Sequence, residues 1–119
     1  AYKSIIEALN HAAIFHQVSL SVEGLESDRL KQIEGFDGYL IPGGFGERGV
    51  EGKIQVATYC RTHKIPCFGI CLGMQVMVIE FAREVLGVKE AHSTEINPNT
   101  KHPVISLLNE QKNIKTKNI

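Results

Sequence analysis

Tyr2, Ile5, Ile6, Leu9, Ala12 and Ala13 recur at helical spacing, so residues 2–13 are predicted as an amphipathic helix with no strand before it. Val18, Leu20 and Val22 then alternate with Gln17, Ser19 and Ser21, the two-residue period of a strand. Residues 24–34 read as a loop and a short helix whose apolar positions are Leu25, Leu30 and Ile33. Gly38-Tyr39-Leu40-Ile41 is a short apolar run closed by Pro42-Gly43-Gly44, the pattern of a buried parallel strand. Val50 to His63 predicts a helix with Ile54, Ala57 and Val56 or Tyr59 inward. After Pro66 comes a second buried strand, Cys67-Phe68-Gly69-Ile70. Leu72 to Val85 carries the strongest helical pattern, with Leu72, Val76, Ile79 and Val85 facing inward. Ala91 to Thr94 predicts a short strand, and Val104 to Leu108 another strand or an edge segment. The final residues, 113–119, lose periodicity and are expected to be a disordered tail.

Apolar strands alternating with helices imply a parallel sheet covered on both sides, a doubly wound, flavodoxin-like α/β fold. In such folds the chemistry lies beyond the carboxyl ends of the strands. At 119 residues the chain has the size of one domain. Hydrophobic residues make up 43%, enough for a core. Thirteen basic residues balance thirteen acidic ones, so no broad positive field exists for a nucleic acid or an anionic membrane. The longest apolar stretch, Cys67 to Ile79, is too short to cross a bilayer. Three cysteines and a start without a basic, then apolar, leader argue against a disulfide framework. A cytoplasmic protein is expected.

Chemistry enters at Cys71. It stands at the junction of a predicted buried strand and a strong helix, flanked by Gly69 and Gly73 in the spacing Gly-x-Cys-x-Gly. This is the cysteine version of the nucleophile elbow, in which a sharp turn lifts the nucleophile out of the sheet. The helix amino terminus beneath it favours the thiolate, the reactive form. The Leu72 amide would point the same way and stabilise an oxyanion. Cys60, mid-helix, and Cys67, mid-strand, lack this context and read as small buried hydrophobes. The second feature is Pro42-Gly43-Gly44-Phe45-Gly46, a glycine loop that lets backbone amides approach a ligand. No Gly-Lys-Ser/Thr follows, so it is not a P-loop. A parallel sheet would set this loop beside the elbow.

With these two segments the chain resembles the class I glutamine amidotransferase family. Pro42 to Lys53 resembles the family's oxyanion loop and lid, and Phe68 to Gln75, continuing to Arg83, its nucleophile segment. Ser93-Thr94-Glu95 resembles a further substrate segment. The lid Arg48-Gly49-Val50-Glu51-Gly52 and the run Ile79 to Arg83 are similar to the branch of the family that supports amination of UTP to CTP. The resemblance implies glutamine hydrolysis at Cys71 through a thioester, with Gly43 and Leu72 as oxyanion amides. Gly44, Leu72, Gly73, Met74, Gln75 and Glu95 would line the glutamine pocket, and Arg48 would belong to a lid near an activator site. The ammonia would pass to a separate synthetase domain using MgATP, with GTP as activator, in a homo-oligomeric parent enzyme. No cofactor or metal is implied in this chain.

A thioester route needs a base for the thiol and an acid for the leaving ammonia. The family uses a histidine followed two residues later by glutamate. None of His11, His16, His63, His92 and His102 has that neighbour; at His102 the position holds Val104. Residues 1–112 are therefore expected to be a partial, amino-terminal portion of the domain, inactive or weakly active alone. The alternatives are another cysteine hydrolase of this superfamily, or a non-catalytic binding or vestigial domain.

Overall fold

The computed structural model describes residues 2–112, and the predicted tail at 113–119 lies outside them. Helix α1 (Lys3–Phe15) is followed by irregular chain, then β1 (Tyr39–Ile41), α2 (Val50–His63), β2 (Cys67–Gly69) and α3 (Leu72–Glu84). Strands β3 (Ala91–Ser93) and β4 (His102–Ile105) and the single turn α4 (Asn109–Lys112) complete the order. β1 and β2 pair in parallel with Leu40 opposite Phe68 and Ile41 opposite Gly69. β3 and β4 form a second parallel pair, with an irregularity between His92 and Ser93. The architecture is α/β with parallel strands, as the alternation predicts, built here from two strand pairs.

Two apolar clusters hold it together. Val50 and Ile54 of α2 meet Leu72, Val76 and Ile79 of α3, with Ile96 and Ile105 packed against them. On α3 these positions follow an i, i+4, i+7 stripe, which is why the helix buries one face. Val56, Ala57 and Cys60 turn the other side of α2 onto Ile41, with Leu30, Ile33, Tyr39, Cys67 and Met77 around them. Two arginines link the layers. Arg61 Nε donates to Glu80 Oε1 at 2.9 Å, and Glu80 is only 3% exposed. Arg83 Nε donates to the Ala91 carbonyl at 2.8 Å while its Nη1 reaches Glu51 at 3.2 Å, joining α3 to β3 and α2.

Five expectations need correction. Residues 17–22 form no strand, and Val18, Leu20 and Val22 are exposed, because no described strand runs beside them to complete a ladder. Residues 24–34 make a turn closed by the Arg29 amide on the Glu26 carbonyl, and no helix. So short a segment cannot recover the cost of nucleating one. Val85 is exposed because it lies six residues beyond Ile79, about 240° further round the helix. Strand β2 is not buried on both faces: Phe68 is 64% exposed. Alternate strand positions face opposite ways, so Leu40 and Phe68 look away from α2, across a cleft of about 260 Å³ shared with Ser4, Ile5, Ala8 and Leu9 of α1. The last predicted strand is also displaced, falling at His102–Ile105 and leaving Leu107 and Leu108 exposed outside it.

Candidate active site

The elbow is built from backbone. Beyond β2, the Ile70 amide donates to the Ile41 carbonyl at 2.9 Å, which ties the strand end to β1. The chain then reverses at Cys71, whose φ of 55° and ψ of −112° lie where side-chain-bearing residues are strained. α3 starts immediately, with the Gly73 amide on the Ile70 carbonyl at 2.9 Å and the Gln75 amide on the Cys71 carbonyl at 3.1 Å. Such a turn leaves no room for side chains beside it. A Cβ on Gly69 would lie 2.6 Å from the Gly73 carbonyl carbon and the Met74 nitrogen, and one on Gly73 would overlap the Ile41 carbonyl. Cys71 itself is exposed.

The glycine loop arrives beside it because β1 is the strand next to β2. A Cβ on Gly43 would sit 3.4 Å from Cys71 Cβ, and one on Gly44 would sit 3.6 Å from Leu72 Cδ2. Among the described residues, the amides of Gly43, Gly44 and Leu72 donate to no protein acceptor. The structure thus places unengaged amides on the turn of an exposed thiol and on the loop beside it, and backbone amides so placed can stabilise an oxyanion where they point at it. The Leu72 side chain is buried in the core and touches the glycine loop at Gly44. Gly73 is buried, Gln75 is half-buried and Met74 exposed, all on the first turn of α3.

Glu95 comes from the turn after β3. Its amide donates to Ser93 Oγ at 3.3 Å, its side chain is exposed, and its neighbour Ile96 packs on the cluster that holds Leu72. Arg48 is directed elsewhere: its Nε donates to Asp28 Oδ2 at 2.8 Å. That bond, with the charge of Arg48 and against an opposing burial cost, holds the Asp28 carboxyl below its ordinary value, and the same bond and the Asp28 charge raise Arg48. Ser27 and Asp28 also pack on Gly49 and line, with Glu47, Glu51 and Gln55, a polar cavity of about 450 Å³. Phe45, in between, is 91% exposed. Sequence reasoning missed Asp28 and Ser27, which lie about twenty residues before Arg48 in a stretch with no motif.

The other thiols are poor nucleophiles. Burial and the nearby Cys67 push the Cys60 thiol up to about 12, and burial raises Cys67 as well. No described histidine hydrogen-bonds to Cys71. His63 Nδ1 is engaged by the Tyr59 carbonyl at 2.9 Å, and His92 Nδ1 accepts the Ser93 amide at 2.9 Å. Burial, then the charge of Arg83, lowers His92. His102 opens β4, as an ordinary connecting position.

Comparison with known proteins follows this geometry. The family described as "Glutamine amidotransferase class-I" matches residues 1–117. CTP synthase of Protochlamydia amoebophila is 57% identical over 122 residues, covering 96% of this chain and 22% of that protein. CTP synthase of Hydrogenobaculum sp. is 58% identical over 116 residues, with the same shares. The chain thus spans about a fifth of the length of these relatives. Among solved structures, the glutaminase domain of Trypanosoma brucei CTPS with bound acivicin superposes with a TM-score of 0.86 at 38% identity, over 91% of this chain and 44% of that one.

Proposed function

Because the chain belongs to the class-I glutamine amidotransferase family, we propose that it is a glutamine-hydrolysing module of a CTP synthase and that Cys71 is its nucleophile. The observation that carries this reading is the strained, exposed Cys71 set against Gly43, with unengaged amides on both sides. The Cys71 thiolate attacks the side-chain amide carbon of glutamine, and the carbonyl electrons move onto oxygen, held by the Gly43 and Leu72 amides. The carbon–nitrogen bond then breaks, the nitrogen takes up a proton and leaves as ammonia, and a thioester remains. Water hydrolyses the thioester to glutamate and restores the thiol. Gly44, Leu72, Gly73, Met74 and Gln75 line the pocket on this reading, and Glu95 accepts the substrate ammonium.

The proton for the leaving nitrogen requires an acid, and no described histidine contacts Cys71. The chain on its own is therefore expected to form the covalent adduct and to turn over glutamine poorly. In the parent enzyme the ammonia passes to a synthetase domain that aminates UTP with MgATP in the cytoplasm, GTP acting as activator near Arg48. This chain itself takes no cofactor, and the parent assembles as a homo-oligomer. No described helix is long and apolar enough to cross a membrane.

Acivicin, present in the Trypanosoma brucei structure, supplies the test. Intact mass and peptide mapping should show one adduct, on Cys71, slowed by excess glutamine and absent from Cys71→Ala. The buried thiol of Cys60 and the half-buried thiol of Cys67 should stay unmodified. Adducts on Cys67, or labelling indifferent to glutamine, would sink the assignment. Catalytic ammonia release by the chain alone, lost in Cys71→Ala, would overturn the expectation of poor turnover.

A further inference from the structure

Lys53 lies on the first turn of α2, at the positive end of the helix dipole, where a cation is disfavoured. It is half-buried, and its ammonium is 3.4 Å from the point a Cβ on Gly44 would occupy. Leu72 Cδ2 lies 3.6 Å from that same point, so the charge is seated over the glycine loop on the side of the elbow. Among the described residues it has no carboxylate partner within 4.0 Å. Glu51 on the same helical turn is engaged by Arg83, and Asp28 by Arg48. A half-buried cation at the wrong end of a helix, with no counter-charge, does not serve stability. It does supply positive potential where the loop faces Cys71.

We propose that Lys53 is a positioning residue whose charge draws anionic groups to the space above Cys71. Its purpose rests on the glutaminase reading: the negative charge that develops on the substrate oxygen falls in this field, beside the Gly43 and Leu72 amides. Lys53 acts through the potential at the Gly44 loop and forms no bond to the reacting atoms. Residues that set such a field act best where water is partly excluded, and a glycine at 44 lets the ammonium come this close.

The test compares two alkylating reagents of similar size at Cys71, anionic iodoacetate and neutral iodoacetamide. Their rate ratio cancels the fraction of thiolate and reads the local potential alone. One unit charge several ångströms away in a water-like medium changes that ratio about threefold. The iodoacetate-to-iodoacetamide ratio should therefore fall about threefold in Lys53→Met and in Lys53→Gln, and be kept in Lys53→Arg. It should not move in Lys101→Met, an exposed lysine just before β4 that pairs with Glu90. In the unaltered chain the ratio should fall as salt is raised. A ratio unchanged in both neutral variants, with circular dichroism intact, overturns the proposal, as does a salt-independent ratio in the unaltered chain. Loss of the ratio in Lys53→Arg as well would assign the effect to packing and overturn it too. Neither reagent resembles glutamine, so this ratio stands or falls separately from protection against acivicin, and the two failures are distinguishable.

Discussion

Replacing Gly73 by alanine puts the largest demand on the elbow. The added Cβ would lie 2.7 Å from the Ile41 carbonyl carbon and 3.1 Å from Ile41 Cβ, with the carbonyl oxygen closer still. These are backbone atoms of β1, and the added methyl has no flexible neighbour to displace. α3 and β1 must part. Overpacking of this kind costs about 3 kcal/mol at the upper end of its usual range. Parting them also breaks the bond from the Ile70 amide to the Ile41 carbonyl, worth about another 1 kcal/mol. A loss of about 4 kcal/mol is a large share of the roughly 5–15 kcal/mol that stabilises a domain. In urea, with a slope of about 2 kcal/mol per molar, the unfolding midpoint should drop by about 2 M. Gly24→Ala is the control, because nothing lies within 4 Å of its Cβ position; it should be neutral or slightly stabilising. Unfolding followed by circular dichroism decides the matter. If Gly73→Ala unfolds within about 0.5 M of Gly24→Ala, the close approach of α3 to β1 is wrong.

Three further outcomes are expected. Asp28 is held below its ordinary 3.8 by Arg48, so the Arg48–Asp28 pair is fully present above that value and is lost as pH falls through the lowered one. The Arg48 Nε–H resonance should stay protected from neutral pH down to the ordinary value and broaden below it; in Asp28→Asn it should be broad throughout, and a sharp signal there would refute the pairing. Arg61→Met strands Glu80, which is 3% exposed, and should cost about 3 kcal/mol in urea unfolding, whereas the double change with Glu80→Met should recover most of it. Equal stability of the single and double variants would refute the burial of that charge. Cys71→Gly removes the strain of a φ of 55° and ψ of −112°, about 2 kcal/mol, against about 1 kcal/mol of added chain entropy in the unfolded state. It should be about 1 kcal/mol more stable than Cys71→Ala, which keeps the strain. An alanine variant as stable as the glycine one would show an unstrained turn.

The parts of the site that were legible in the sequence are those where one residue's backbone crowds the next. Gly69, Cys71 and Gly73 are spaced by the geometry of one turn, and the structure puts them in it. Helix α2 likewise spans Val50–His63 as its apolar positions predict, because both stripes it buries lie within its own length. Legibility failed where the answer depended on what lies across space. The alternation of Val18, Leu20 and Val22 is a strand pattern, but a strand needs a neighbour, and here none runs beside it among the described residues. Arg48 stood out in the sequence but its partner Asp28 did not, since twenty residues separate them and Asp28 carries no motif. Lys53 was unremarkable as one charge among many until Gly44 was seen beneath it. The site therefore divides into a steric part written in adjacent residues and an electrostatic part assembled by packing. Changes to the first should appear as lost stability, because the turn cannot form without its glycines. Changes to the second should leave folding almost intact and appear only in rates at Cys71, so a stability screen alone would miss the residues that give the elbow its charge.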